Sequence, residues 1–162
     1  MTLAFTVYGV PVTKGNHKAV TPRGMKFPVI TETNRNVASW QQLVAEGASR
    51  EIARLPETDR VLLDAGVRLT IAFYLPRPKK FSRRGAFVHH LTKPDLDRLE
   101  RAILDALTAV AYHDDKQVTE IISGKYYAAV NAPARVDIAV EPAPPCPVGA
   151  MVPDLPLFEV AP

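Results

Sequence analysis

The stretch that follows Lys93-Pro94-Asp95 constrains the fold more than any other. Leu96, Leu99, Ile103, Leu107 and Val110 recur at three- and four-residue steps, the period of one face of an α-helix. At 100° per residue the last four fall within about 80° of one another, a narrow stripe that other apolar surface must cover. Pro94 disfavours helical geometry in Lys93 and Asp95 is a good N-cap, so the helix is expected to start there and to end near Ala109. A second stripe, Val37, Trp40, Leu43, Val44, Gly47, Ala48 and Ile52, predicts an earlier helix capped by Thr31 or Thr33 and ended by Pro56.

Between and around these helices lie runs that read as strands. Leu3 to Val10 alternates and stops at Gly9-Val10-Pro11; Ala65–Leu75, Gln117–Ala129 and Arg135–Val140 are rich in β-branched and aromatic residues. Lys26–Ile30 reads as a short edge strand, since Pro28 is hard to place in a central one. The loop around Asn131-Ala132-Pro133 is short enough to make a hairpin of the last two strands. The expected class is α+β: a small mixed sheet of about four strands packed with two main helices. A chain of 162 residues holds one ordinary domain, here expected over 1–140. Seven of the 22 residues from Glu141 are proline, so 141–162 is expected to be an acidic, extended or disordered tail.

Composition narrows the class further. An apolar fraction of 47% with 23% charged residues fits a packed globular protein. No uninterrupted apolar run approaches the roughly 18 residues a membrane span needs. Met1–Tyr8 lacks a basic region and a cleavage site, and Cys146 is the single cysteine. Internal disulfides and thiolate metal clusters within one chain are thereby excluded, and a reducing cytoplasm is the expected location. The net charge of +3 conceals an asymmetry, because residues 1–136 hold 20 bases against 13 acids. A basic body with an acidic tail suggests a polyanionic partner. Its bases cluster in two loops: Lys14, Lys18, Arg23 and Lys26, then Arg77, Lys79, Lys80, Arg83 and Arg84.

Acidic residues form a second pattern. Asp97, Arg101 and Asp105 stand at i, i+4 and i+8, an outward row facing away from the apolar stripe. Asp95 can share a ligand with Asp97 only if it lies outside the helix, as its cap. Capping and the helix dipole, worth about 0.3–1 kcal/mol, would account for a lone pair of this kind. Asp114 and Asp115 add two more carboxylates in the next loop. Carboxylates about 4 Å apart repel by up to roughly 4 kcal/mol near a protein surface, and a hard cation such as Mg²⁺ relieves this. Asp115 can return to Asp97 only if the chain doubles straight back along about 18 Å of helix; otherwise it serves a site across a subunit interface. His89, His90 and His113 are not needed by hard-metal chemistry. Tyr126 and Tyr127 should point to opposite faces of their strand.

Lys93-Pro-Asp-Leu-Asp-Arg-Leu-Glu-Arg-Ala-Ile-Leu-Asp-Ala-Leu107, followed by Asp114-Asp-Lys-Gln-Val118, resembles the RusA family of Holliday-junction resolvases. Phe5-Thr-Val-Tyr-Gly-Val-Pro-Val-Thr-Lys-Gly15 is similar to that family's first strand and basic loop. The resemblance implies a small homodimeric endonuclease that binds four-way DNA junctions and nicks two opposing strands with Mg²⁺, or Mn²⁺ in its place. It puts the catalytic metal ligands on Asp95, Asp97 and Asp115, with Asp114 and Asp105 tuning the site from behind. The family's catalytic lysine falls on Arg101, and its usual asparagine on Arg98. Arginine keeps the charge but cannot give up a proton near neutral pH, so Arg101 is expected to act electrostatically. Lys93, Arg98 and the two basic loops would bind DNA; five neutralised phosphates at the second loop correspond to a salt slope of about −4.5. The rival expectation is a junction- or duplex-binding protein that has lost cleavage through the changes at Arg98 and Arg101; a third is a related exonuclease or ribonuclease. Asp154-Leu-Pro-Leu-Phe158 is similar to the motif with which bacterial DNA enzymes dock on the sliding clamp, with aspartate where glutamine is usual.

Overall fold

Strand alternation and helical stripes organise the chain as β1 (Leu3–Tyr8), β2 (His17–Val20), β3 (Val29–Glu32), α1 (Val37–Arg54), β4 (Val67–Leu75), α2 (Leu96–Leu107), β5 (Val118–Tyr127) and β6 (Arg135–Pro142). This is a computed structural model, and it describes residues 2–15, 17–20, 29–32, 36–60, 63–81 and 89–145. Four strands form one mixed sheet in the order β1-β6-β4-β5, with β2 and β3 as a separate antiparallel pair. The α+β class is the one expected.

β4 explains the arrangement. Val67, Leu69, Ile71, Phe73 and Leu75 are buried on one face, while Arg68, Thr70, Ala72 and Tyr74 alternate on the other. Both helices cover the apolar face. α1 contributes Val37, Trp40, Val44 and Ala48; α2 contributes Leu99, Ala102, Ile103, Ala106 and Leu107. Complete burial of each large side chain here stabilises the fold by about 1.5–3 kcal/mol. α1 lies so close to β1 that a Cβ at Gly47 would come within 3.1 Å of the Phe5 and Val7 side chains. Leu43, expected on the buried stripe, is 48% exposed at its margin.

Two local expectations are corrected. Thr31 lies within β3, and α1 is instead preceded by Asn36 at the N-cap position; Thr33 falls outside the described residues. The hairpin expected around Asn131-Ala132-Pro133 is not formed, because β4 lies between β5 and β6. The β4–α2–β5 crossover sets β5 parallel to β4, Val67 opposite Val118 and Leu75 opposite Tyr127. The chain then passes over β4 to pair β6 antiparallel on its other side, Ile71 opposite Ile138. α2 ends at Leu107, with Thr108 at the C-cap and Ala109 at φ 60°. β6 runs through Pro142, and the Ala143 amide closes onto Gly66 O at 2.7 Å. No helix of the described residues is long and apolar enough to cross a membrane.

Candidate active site

The start of α2 is presented by a bend over Thr92–Pro94, whose Lys93–Pro94 peptide is cis. Asp95 follows at the N-cap position with extended backbone, φ −73° and ψ 140°, yet its carboxylate makes no capping hydrogen bond. Its Oδ2 instead lies 3.5 Å from Arg98 Nε. Asp97, in the first turn, and Arg101, four residues on, are both exposed. Asp105 completes the outward row but is engaged: its Oδ2 accepts from Lys14 Nζ at 2.5 Å and from Gln41 Nε2 at 3.2 Å. The Lys14 amide donates to Arg98 O at 3.2 Å, laying the loop after β1 along this face of α2. A cleft of about 440 Å³ opens between that loop and the helix start, lined by Pro11–Thr13, Asn36, Lys93, Pro94, Asp95 and Arg98.

Asp115 lies beyond the C-terminal end of α2, in the turn that precedes β5. Twelve helical residues separate the two ends, about 18 Å at 1.5 Å per residue. Beyond the helix the chain is turned toward β5. The buried Tyr112 hydroxyl donates to Leu104 O at 3.0 Å, and burial pushes that phenol well above its ordinary pKa. A single 3₁₀ turn, Asp115–Gln117, then opens β5. Asp114 caps it, accepting from the Lys116 amide at 3.0 Å, which with the Lys116 ammonium holds the carboxyl below its usual pKa. Gln117 closes the reciprocal half: Oε1 accepts from the His113 and Asp114 amides, and Nε2 donates to Leu63 O. Asp115 itself is exposed. Among the described residues of one chain, no three acidic, histidine or cysteine side chains form a metal-binding group. Asp95, Asp97 and Asp115 are thus not gathered into such a group within one chain.

The model of the family described as "Endodeoxyribonuclease RusA" matches residues 9–141, a span that contains the helix start, the Asp114–Gln117 turn and all of the four-stranded sheet except β1 and the last residue of β6. The chain belongs to the RusA endodeoxyribonuclease family. A curated relative, the "Uncharacterized protein YqaN" of Bacillus subtilis (strain 168), is 29% identical over 137 residues, covering 78% of this chain and 88% of the relative.

Within this RusA-family chain the bases expected to face DNA divide into distinct groups. Lys93 is exposed beside the cleft, and Lys79 is exposed in a short turn that also holds Lys80. Arg77 is committed to the fold, donating to Ala128 O at 2.9 Å and to Phe81 O at 3.2 Å. Lys14 is held by Asp105 and Arg98 by Asp95. Lys18 lies on β2, while Arg23, Lys26, Arg83 and Arg84, like the segment Asp154–Phe158, fall outside the described residues. His90 is buried and its ring packs against Tyr127, centroids 4.4 Å apart and planes tilted by 40°; His89 and His113 are exposed. Tyr126 is outward against Tyr74 and Tyr127 is half-buried, the alternation expected.

Asp95 and Asp97 suit a hard cation. Asp95 lines the polar cleft and Asp97 is exposed in the first turn beside it, and one or two carboxylates with retained waters are a common Mg²⁺ ligand set. The Asp95 carboxylate is not committed to capping its own helix. Sequence reasoning missed three residues that fix the surroundings of α2: Ser123 and Lys125 beside its start, and Gln117 in the turn after its end. Only Gln117 carried a signal, as part of the Asp114–Val118 motif.

Proposed function

We propose that this chain is a divalent-metal-dependent endodeoxyribonuclease that resolves four-way DNA junctions by paired, symmetric nicks. The observation that carries the reading is the helix start within a nuclease-family chain, where Asp95 stands extended at the cap and Asp97 follows in the first turn. In this reading the two carboxylates hold Mg²⁺ or Mn²⁺. A cation bound there supplies an acidified water and neutralises charge at the scissile phosphate. Arg101, one turn beyond Asp97, lends fixed positive charge to the phosphate without exchanging its proton. Lys93 and Arg98 take backbone phosphates at the cleft, and the products are 5′-phosphate and 3′-hydroxyl ends.

Asp115 enters from a second protomer of a two-fold dimer. Within one chain Asp115 does not join Asp95 and Asp97 in a metal-binding group, which supports a shared site, and a two-fold junction is matched by a two-fold enzyme. Mixing Asp97→Asn with Asp115→Asn protein tests this. A shared site restores one intact centre per mixed dimer and hence single-strand nicking; sites confined to one chain leave every mixed dimer inactive.

The Asp95–Arg98 contact favours a second reading, a junction-binding protein that does not cut. A synthetic mobile junction, with duplex, single-strand and RNA controls, separates the two. Cleavage of the junction in Mg²⁺ and none in EDTA supports the nuclease; specific binding with no product in Mg²⁺ or Mn²⁺ supports the binding protein.

A further inference from the structure

Lys125 lies on the face of β5 that looks toward α2, opposite Phe73 of β4. Its ammonium donates to Thr92 O at 3.0 Å and to Pro94 O at 2.9 Å. These carbonyls bracket Lys93, in the turn that launches the helix. Pro94 O is bonded to the carbon that carries the Asp95 amide, so Lys125 Nζ lies within about 5 Å of the Asp95 nitrogen by covalent geometry. Among the described residues the ammonium enters no ion pair. Ser123, two residues earlier on the same face, donates to Glu100 Oε1 and ties the strand to the helix a second time. Proline offers no amide to such a turn, and a half-buried charge held by backbone carbonyls fixes a local backbone path.

We infer that Lys125 is a positioning residue for the Asp95–Asp97 carboxylate pair, acting through the turn that precedes α2. It fixes where the extended Asp95 stands relative to Asp97, and so fixes the spacing of the two oxygen donors. This rests on the reading of that pair as the cation site. Groups that orient metal ligands from behind typically govern affinity by 10- to 100-fold. Coulomb's law taken alone points the other way, because removing a positive charge beside a cation site tightens cation binding. The direction of the change thus separates positioning from simple charge.

Mn²⁺ bound to the full-length protein, without DNA, is measured by electron paramagnetic resonance for wild type, Lys125→Met and Lys125→Arg. Lys125→Met is expected to bind Mn²⁺ roughly 10- to 100-fold more weakly, with junction affinity in EDTA unchanged. Lys125→Arg, which can still donate to two carbonyls, stays close to wild type. If the methionine variant does not fold, Lys125→Gln is measured in its place and read the same way. Unchanged or tighter Mn²⁺ binding in a folded variant overturns the role of Lys125 and leaves the cation site standing. Absence of Mn²⁺ binding by wild type overturns both.

Discussion

Lys14 and Asp105 stand 91 residues apart in sequence, yet the lysine ammonium rests 2.5 Å from the aspartate Oδ2, with both side chains about one-third exposed. Gln41 of α1 donates to the same oxygen, so one carboxylate joins the loop after β1 to both helices. Asp105, expected to tune a metal from behind, and Lys14, expected to grip DNA, are thus paired with each other.

A double-mutant cycle of Lys14→Met and Asp105→Asn measures that tether. Partly exposed pairs couple modestly, and a coupling of roughly 1 kcal/mol in urea unfolding is expected. Junction affinity should fall less in Lys14→Met than in Lys93→Met, whose ammonium is exposed beside the cleft. Additive stabilities would contradict the tether.

Gln117 makes hydrogen bonds to three backbone partners at 2.9–3.0 Å, the His113 and Asp114 amides and Leu63 O. Replacing it with alanine strands these groups, at a cost of about 1–3 kcal/mol. Thermal unfolding of Gln117→Ala reads the loss, and a change below about 0.5 kcal/mol, the usual range for an inconsequential surface substitution, would contradict the role.

His90 gives the fold a pH dependence of definite sign. Burial, with the Lys125 charge nearby, lowers its pKa below the ordinary 6.5. The unfolded chain therefore takes up a proton first as pH falls. Stability is complete above about pH 6.5 and declines from there toward the lower folded value. The urea midpoint should drop between pH 7.5 and 5, above the range where carboxylates titrate. His90→Phe, which keeps a ring against Tyr127, should drop less; parallel slopes would refute this account.

Local patterns carried the fold a long way. The stripe Leu99, Ile103 and Leu107 and the alternation along β4 are set by nearest neighbours and burial, and both are legible one residue at a time. Strand partnership is not. The short connection after β5 permits a hairpin, but the α2 crossover places β5 on one edge of β4 and leaves the other to β6. Leu43 followed the helical period and still faces water, because the stripe is wider than the surface that covers it. At the site, Asp95 and Asp97 were readable from proline, cap and spacing. The path of Asp115 depends on Tyr112 and Gln117 turning the chain toward β5, contacts that spacing does not reveal. A lone lysine in a strand, such as Lys125, has no pattern at all until the strand is laid beside the helix.

In the proposed function the carboxylates at the start of α2 hold the cation on which DNA cleavage depends. The most direct measurement compares wild type with Asp97→Asn on a synthetic mobile four-way junction, scoring binding in EDTA and cleavage in Mg²⁺. Asparagine keeps the size of the side chain and removes its charge. Equal binding is expected, with cleavage reduced at least about 100-fold, on the order of 3 kcal/mol of lost transition-state stabilisation. Cleavage by Asp97→Asn at the wild-type rate would contradict it.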